Sequence, residues 1–139
     1  MINKILALDL GQKKIGVAIS SNMSLSSTPL IVLANDSDLI TNLTKIISEN
    51  QINQIVIGCP RNIDGSDTIQ TSNIKNMAKD LMTKLKFNNY LFQDEFLSSK
   101  RAQEIINQSK QYSADDEDML AASLILDDYL KIIENKINQ

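Results

Sequence analysis

The sequence contains no histidine, which removes several of the commonest catalytic arrangements at once. Serine or cysteine nucleophiles activated by an imidazole are excluded, as are imidazole-ligated zinc sites and general acid–base catalysis by histidine. The single cysteine allows neither an intrachain disulfide nor a thiolate metal cluster. Any catalysis must therefore depend on carboxylates, amines and hydroxyls.

Positive charge is also scarce. The chain has 14 Lys and Arg against 17 Asp and Glu, which gives a formal net charge of -3 and a pI near 4.9. Such a chain lacks the strong positive field that gathers nucleic acid without specific contacts. A nucleic-acid substrate must therefore be held by local contacts.

Long apolar runs are missing as well. No run approaches the roughly 18 residues of a membrane span, and the amino terminus lacks the apolar segment and cleavage site of a secretory signal. We therefore expect a cytoplasmic protein. The 139 residues are enough to bury the core of one domain, which we expect to span residues 1–139.

Hydrophobic periodicity predicts three consecutive strands, followed by helices and strands that alternate. Strands are predicted at residues 4–10, 15–20, 30–33, 54–58 and 90–94. Helices are predicted at about residues 36–50, at 74–85, from a cap at Ser98 or Ser99 through Ile106, and at 113–133. A strand meander followed by two helix–strand units predicts an α/β fold, with a five-stranded mixed sheet flanked by helices on both faces.

Asp9 is the first candidate functional residue. It lies near the carboxyl end of the first predicted strand, in phase with the apolar Ile5 and Ala7. Gly11 follows closely and lets a ligand or metal approach the backbone. Two interpretations stay open, since Asp9 either contributes to a metal site or ends the strand by accepting hydrogen bonds from turn amides.

Asp94 and Glu95 occupy the corresponding place at the end of the last predicted strand. In open α/β sheets, ligands bind at the carboxyl ends of the strands. Because side chains alternate along a strand, the two acids should point to opposite sides, and only one should enter a site shared with Asp9. The alternative is that both are acidic residues of the turn before the next helix.

The last predicted helix begins with four consecutive acids. Ser113 and Asp116 have the spacing of a capping box, and the first three acids suit the first turn of a helix. Asp118 is different, because spacings of three, four and seven place it on the same apolar face as Ala121, Ala122 and Ile125. We therefore expect its carboxylate to point toward the edge of the sheet.

Acids from two strand ends and one helix start would form a site made of oxygen ligands. Such a site suits Mg²⁺ or Mn²⁺ and offers no soft ligand that selects zinc. Two ions about 3.5–4 Å apart can activate a water and stabilise the leaving oxygen of an in-line displacement. The set therefore predicts phosphoryl chemistry, with two ions present when substrate is bound.

Four ordered motifs resemble those of the YqgF family, also called RuvX, a family of proposed Holliday junction resolvases. They are DLGQKKIGVA at 9–18, GCPRNIDGS at 58–66, the acids at 94–95 and DMLAA at 118–122. The resemblance covers essentially the whole chain. It implies an RNase H-like fold related to the RuvC resolvases. It also implies a nuclease role in maturing the 5′ end of pre-16S ribosomal RNA.

The resemblance further implies that Asp9, Glu95 and Asp118 are the catalytic acids and metal ligands, in agreement with the choice made from the residues. One departure follows the acidic pair, where the family usually has Arg and this chain has Phe96. A phosphate contact or carboxylate partner is therefore missing at that position.

Candidate substrate contacts lie around the same predicted edge. They are Lys13, Lys14, Arg61, Asn62, Lys100 and Arg101. Arg61 and Asn62 belong to the loop after the fourth predicted strand, where a residue at the rim of the site can contact phosphate or bases. For each lysine and arginine the alternative is an ordinary solvated side chain. Asp64 and Gly65 are interpreted as a turn.

The leading hypothesis is a metal-dependent nuclease that hydrolyses structured RNA, namely precursor ribosomal RNA, as a monomer or weak homodimer. Ribosomal precursor particles are then expected partners. One alternative is a Holliday junction resolvase that cuts branched DNA as a homodimer. Another is a noncatalytic module that binds nucleic acid or the ribosome. An actin-like ATPase is disfavoured, because such enzymes need two lobes and this chain supplies one.

Overall fold

The computed structural model describes residues 4–20, 26–62, 64–95 and 98–137. The strands in these ranges are β1 (Ile5–Leu10), β2 (Lys14–Ser20), β3 (Ser27–Ala34), β4 (Gln54–Pro60) and β5 (Tyr90–Glu95). The α-helices are α1 (Leu39–Glu49), α2 (Ile69–Leu85), α3 (Ser98–Gln108) and α4 (Glu117–Ile137). A 3₁₀ turn at Ala114–Asp116 leads directly into α4.

The five strands form one mixed sheet in the order β3-β2-β1-β4-β5. β2 pairs antiparallel with both β1 and β3, whereas β1 and β4, and β4 and β5, pair in parallel. The predicted meander and its two parallel additions are therefore confirmed. The carboxyl ends of β1, β4 and β5 meet at one edge of the sheet, and this edge carries both strand-end acids.

Helices cover the sheet on both faces, so β1 and β4 are buried on both sides and are almost entirely apolar. Leu6, Leu8 and Ile57 pack with residues of α1 and α2 on one face. Ile5 and Ala7 pack against α4 on the other. The alternation of side chains along β1 therefore assigns Asp9 to the face that α4 covers.

Several boundaries differ from those predicted; α2, for example, begins at Ile69, where Thr68 forms a capping box with Thr71. β3 begins at Ser27, because it pairs with the whole length of β2 and, as an edge strand, accepts Pro29. α1 begins at Leu39, because Asp36 and Asp38 form a turn in which the Asp38 N–H donates to Asp36 Oδ1 at 2.9 Å.

α4 is the longest helix, with 21 residues, and it extends beyond the predicted end. It packs on β1, β2 and β3 and also contacts α3, where the buried Ala102 and Ala121 belong to one apolar cluster. Neither α4 nor any other helix in the described ranges is long and apolar enough to cross a membrane.

Candidate active site

Asp9 lies one residue before the end of β1, on the same face as the buried Ala7. The following turn is closed by Gly11, whose N–H donates to the Lys14 carbonyl at 3.0 Å. A Cβ at Gly11 would lie 2.6 Å from that oxygen, so this close approach requires glycine. In the described part of the chain, no turn amide donates to the Asp9 carboxylate. The strand-ending interpretation of Asp9 therefore has no support.

Asp94 and Glu95 point to opposite faces of the sheet, as predicted from strand alternation. Asp94 accepts a hydrogen bond from Arg61 Nε at 2.9 Å on the α2 side. Glu95 lies on the α4 side, and its Oε2 is 2.9 Å from the position that a Cβ of Gly58 would occupy. The missing side chain at Gly58 thus leaves room for the Glu95 carboxylate on the face that carries Asp9.

The first turn of α4 lies directly on the sheet at Gly16. A Cβ at Gly16 would lie 1.9 Å from the carbonyl oxygen of Asp118. Gly16 is also the residue paired with Asp9 across the β1–β2 ladder, so the helix start and Asp9 lie side by side. Ala122 and Ile125 are buried, which confirms the predicted helix phase of Asp118.

The other acids before and within this first turn have local roles. Asp116 Oδ2 accepts a hydrogen bond from the Ser113 N–H at 2.8 Å, as expected of a capping box. Glu117 Oε1 accepts one from Gln103 Nε2 at 2.8 Å and so connects α4 to α3. Asp115 is exposed. These observations agree with the interpretation of the run as first-turn acids.

The acids of the site oppose one another's ionisation. Burial, together with the negative charges of Glu95, Asp118 and Glu117, raises the pKa of Asp9 to about 7. Burial and Glu117 also raise the pKa of Asp118, while the positive charge of Lys14 lowers it. The contribution of Glu117 was not predicted from the sequence, where its only signal is its position next to Asp118. A bound cation would relieve this repulsion.

The donor set suits a hard divalent ion, because carboxylate oxygens are ligands that Mg²⁺ and Mn²⁺ prefer. Burial, and then the neighbouring acids, raise the pKa of Asp9, so a cation that offsets their negative charge would favour its ionised form. Within the described ranges, however, no three acidic or cysteine side chains converge closely enough to hold one ion by themselves. Mg²⁺ commonly uses one or two carboxylates, with waters and substrate phosphate completing its shell. The residues fit an ion bound in that manner.

A cavity of about 360 Å³ opens beside the acids at the carboxyl edge of the sheet. Asp9, Glu95 and Gly11 line it from the strand ends, and Gln70 and Asn73 line it from the first turns of α2. The two amides were not among the predicted site residues. In the sequence, the only indication of these two amides is that a helix starts soon after a strand ends at this edge. The same edge carries Asp9 and Glu95, which line the same cavity.

Polar side chains of the loop after β4 bind other side chains of the protein. Arg61 binds Asp94 at the end of β5 and also binds Asp67 within the loop. Asn62 Nδ2 donates to Ser66 Oγ at 3.0 Å, although the asparagine remains exposed. Arg61 is thus occupied by two carboxylates, and substrate contact by either residue stays a prediction.

One smaller interpretation, the turn at Asp64 and Gly65, is confirmed. Ser66 N–H donates to Asp64 Oδ1 at 2.9 Å, and Gly65 has a φ of 85°, so Asp64 and Gly65 form a turn. Cys59 is fully buried, and burial raises the pKa of its thiol. It packs as a small apolar residue.

The remaining basic candidates differ in their surroundings. Lys13, Lys14 and Lys100 are exposed, and none forms an ion pair with another described residue. Arg101 on α3 binds both oxygens of Asp128 on α4, at 3.1 and 3.3 Å. Phe96, which stands where an Arg is usual, lies outside the described residues.

Comparison with known proteins identifies relatives along nearly the whole chain. The RuvX family model, described as a Holliday junction resolvase, matches residues 3–132. A protein of Orientia tsutsugamushi named "Putative pre-16S rRNA nuclease" is 37% identical over 136 residues, covering 95% of this chain and 86% of the relative. A Carboxydothermus hydrogenoformans protein of the same name is 36% identical over 135 residues, covering 91% and 95%.

Solved structures agree with the architecture described above. RuvC of Thermus thermophilus, in a complex with a Holliday junction substrate, superimposes with a TM-score of 0.58. The identity is 8%, and the match covers 96% of this chain and 97% of that chain. At this identity the likeness concerns the fold alone, and it confirms the expected RNase H-like fold.

Proposed function

The chain belongs to the RuvX family, and on this basis we propose that it is a metal-dependent nuclease that processes the 5′ end of pre-16S ribosomal RNA. The observation that carries the proposal is the half-buried Asp9, which shares a cavity with Glu95 while Gly16 holds the start of α4 beside it. The names of the relatives support the choice of RNA as substrate.

We assign the catalytic and metal-binding roles to Asp9, Glu95 and Asp118. When bound, Mg²⁺ or Mn²⁺ supplies an activated water and stabilises charge on the leaving oxygen, with two ions in the substrate complex. Asp9 must be ionised to contribute, which its raised pKa opposes until a cation arrives. Partial burial reduces the contact of the carboxylate with bulk water, and this strengthens its interaction with a cation.

The proposed substrate contacts follow from exposure and charge. Lys13, Lys14 and Lys100 are exposed cations that suit phosphate oxygens, and the exposed Asn62 suits phosphate or a base. Arg61 and Arg101 already bind carboxylates of the protein. For these two, contact with substrate requires that the guanidinium share or exchange its present partner.

We further propose that one domain spans residues 1–139, because the described strands belong to one sheet. The domain acts in the cytoplasm, as a monomer or weak homodimer. It meets its substrate on ribosomal precursor particles. Size-exclusion chromatography with light scattering tests the oligomeric state, and a stable dimer at micromolar concentration would contradict this part of the proposal.

The second candidate is a Holliday junction resolvase acting as a homodimer. It is favoured by the description of the family model, which matches residues 3–132. The formal charge of -3 argues against it, because a junction presents four arms of duplex phosphate.

A cleavage assay separates these functions. Purified protein with Mg²⁺ or Mn²⁺ is given a precursor RNA that retains the 5′ leader of 16S RNA and, separately, a four-way DNA junction. We expect cleavage of the RNA, and losses of at least about 100-fold in Asp9→Asn, Glu95→Gln and Asp118→Asn, because each removes a charge that holds metal. Asp116→Asn is the matched control and should be mild, because Asp116 caps the helix start.

The possible results of this assay distinguish the candidate functions. Symmetric cuts in the DNA junction, without RNA cleavage, would favour the resolvase. Activity that survives Asp118→Asn but not Asp116→Asn would contradict the assigned role of Asp118. An absence of all cleavage, with RNA binding retained, would favour the noncatalytic module.

A further inference from the structure

One flank of α2 and the residue that caps it carry three lysines that the proposed catalytic site does not use. Lys75 and Lys79 are four residues apart on one side of the helix, and Lys86 follows the last helical residue as the C-cap. The flank begins close to the catalytic edge, where the charge of Lys75 acts on the Cys59 thiol in β4. It extends about 16 Å along the helix axis, away from that edge.

The far end of this flank opens into a cavity of about 410 Å³ between α2 and the start of β5. Lys79 and Lys86 line it together with the rings of Phe87 and Tyr90 and the amide of Asn88. No acidic residue is among the described residues of its lining. Cations beside aromatic rings are the combination that binds a nucleotide through its phosphate and its base.

The charge of these lysines is not balanced locally. On the opposite side of α2, Lys84 pairs with Asp80 at 3.0 Å, and on α1 Lys45 lies 3.9 Å from Glu49. By contrast, the three flank lysines form no ion pair with any part of the chain that the structure describes. In a chain of net charge -3, an unbalanced row of cations forms a local site for an anionic polymer.

We propose that this flank, here named the α2 lysine track and consisting of Lys75, Lys79, Lys86, Phe87 and Tyr90, binds a single-stranded RNA segment that continues from the cleavage site. The lysines hold successive phosphates, and an unpaired base enters the cavity against the aromatic rings. A single strand is favoured over duplex because only unstacked bases can enter such a cavity. This inference rests on the proposed nuclease function, since it places substrate that flanks the cut.

Binding to RNA tests the track without requiring catalysis. The protein carries Asp9→Asn to prevent cleavage, and the probe is a fluorescently labelled 12-nucleotide oligouridine whose anisotropy is followed at several salt concentrations. The test variant adds Lys79→Gln and Lys86→Gln. The matched control adds Lys131→Gln and Lys136→Gln instead, which removes the same charge from α4 on the other face of the sheet.

The test variant should bind roughly tenfold more weakly, and its slope of log K against log salt should become shallower by about 1.4, since each single-strand phosphate contact contributes about 0.7. The control should change the slope by much less. Phe87→Leu should weaken binding roughly fivefold and leave the slope unchanged, because a stacking contact releases no counterions. Melting temperatures within a few degrees of the parent show that each variant is folded.

Equal binding by the lysine test variant and its control would overturn the track and leave the flank open to an acidic protein partner. The nuclease proposal is tested separately. If cleavage depends on Asp9 but RNA binding ignores Lys79 and Lys86, the track is wrong and the nuclease stands. If the wild-type chain cleaves nothing but the test variant loses RNA binding, the nuclease proposal fails and the track stands.

Discussion

The surroundings of Asp9 oppose its ionisation in the absence of a cation. The carboxylate lies at the end of an apolar strand, and other acids approach it from β5 and from the start of α4. Folding therefore raises the pKa of Asp9 above that of the unfolded chain, to about 7. The negative charge that Asp9 needs in order to bind a cation therefore lowers the stability of the folded chain.

The first prediction is a pH dependence of stability that depends on Asp9. Between the unfolded pKa near 3.9 and the folded pKa near 7, the folded chain binds the proton more tightly. The free energy of unfolding in EDTA should consequently fall as pH rises through this window, by at most about 1.4 kcal/mol per pH unit from this group. Urea unfolding at pH 5, 6, 7 and 8 measures it.

Asp9→Asn is the matched variant, because the amide keeps the shape and cannot ionise. Its unfolding free energy should lack this part of the slope, so the variant gains stability over the wild type as pH rises. Parallel profiles for the two proteins would contradict the raised pKa of Asp9.

The second prediction concerns Arg61, which binds Asp94 beside Glu95 as well as Asp67 in its own loop. Exposed ion pairs contribute about 0–1 kcal/mol, so Arg61→Gln should alter stability only slightly. If the guanidinium mainly fixes the end of β5, then Arg61→Gln and Asp94→Asn should reduce cleavage similarly, and the double variant should be no worse than either single one. Rates of RNA cleavage for the four proteins complete this cycle.

Additive losses would give Arg61 a role independent of Asp94, as a direct phosphate contact requires. The salt dependence of RNA binding provides a second measurement, because loss of a phosphate contact makes the slope shallower. Additive losses together with a shallower slope would support the predicted contact between Arg61 and the substrate.

At the scale of elements, the site depends on how closely α4 approaches the sheet. Helix and sheet come together at Gly16, where the carbonyl of Asp118 occupies the space that a side chain would need. Gly16 thereby connects the position of the helix to that of Asp9, its partner in the β1–β2 ladder. Small buried residues farther along, such as Ala122, maintain the close approach.

The third prediction is that Gly16→Ala displaces the first turn of α4. Its Cβ would lie 1.9 Å from a backbone oxygen, which no side-chain rotation can relieve. We expect a destabilisation of about 1–3 kcal/mol, as for other overpacked cores, and a loss of cleavage larger than the loss of folded protein explains. Thermal unfolding and cleavage rates on the same samples measure the two effects.

Gly65→Ala is the control for glycine replacement in general. Gly65 has a positive φ of 85°, but no atom lies within 4 Å of the position that a Cβ would occupy, so only local strain of about 1 kcal/mol is expected. Cleavage should remain near the wild-type rate. Equal losses in both variants would mean that the approach at Gly16 does not control the site.

Periodicity explains which parts of the site the sequence could predict. Strand alternation separates Asp94 from Glu95, and helix spacing puts Asp118 on the face of Ile125, because both arguments use local geometry alone. Gln70 and Asn73 were beyond such reasoning, since their place in the cavity depends on how α2 packs against the sheet. Asp94 and Asp128, which bind Arg61 and Arg101, were missed for the same reason, because they come from distant segments.

At the scale of the whole molecule, a sheet edge concentrates negative charge in a chain that is already acidic. The fold contributes rigid positions for the acids, and cations from solution must balance them. Binding of a cation to the folded state alone stabilises the entire domain.

The fourth prediction is that Mg²⁺ or Mn²⁺ raises the melting temperature. An ion present at ten times its Kd adds about 1.4 kcal/mol, or roughly 4–6 °C for a domain of this size. Differential scanning fluorimetry at matched ionic strength measures the shift. It should shrink in Asp9→Asn and Glu95→Gln, while Asp116→Asn keeps it. A melting temperature that ignores both ions would favour a noncatalytic binding module.

The fifth prediction concerns the affinity of the whole chain for nucleic acid. A chain with a charge of -3 can neutralise few phosphates, so its affinity for isolated RNA should be weak and its salt dependence shallow. Contacts from Lys13, Lys14, Lys100 and the α2 lysine track would give a slope of about -2 to -4 with single strands. A resolvase needs many more, because two subunits must hold the arms of a junction. Precursor RNA bound to ribosomal proteins can supply the missing affinity through its shape and neighbours.

Anisotropy titrations of Asp9→Asn at several salt concentrations measure the affinity and the salt slope for single-stranded RNA and for a four-way DNA junction. Tight junction binding with a steep slope would show that more of the 14 lysines and arginines contact phosphate than those named here, and would shift the assignment to the resolvase.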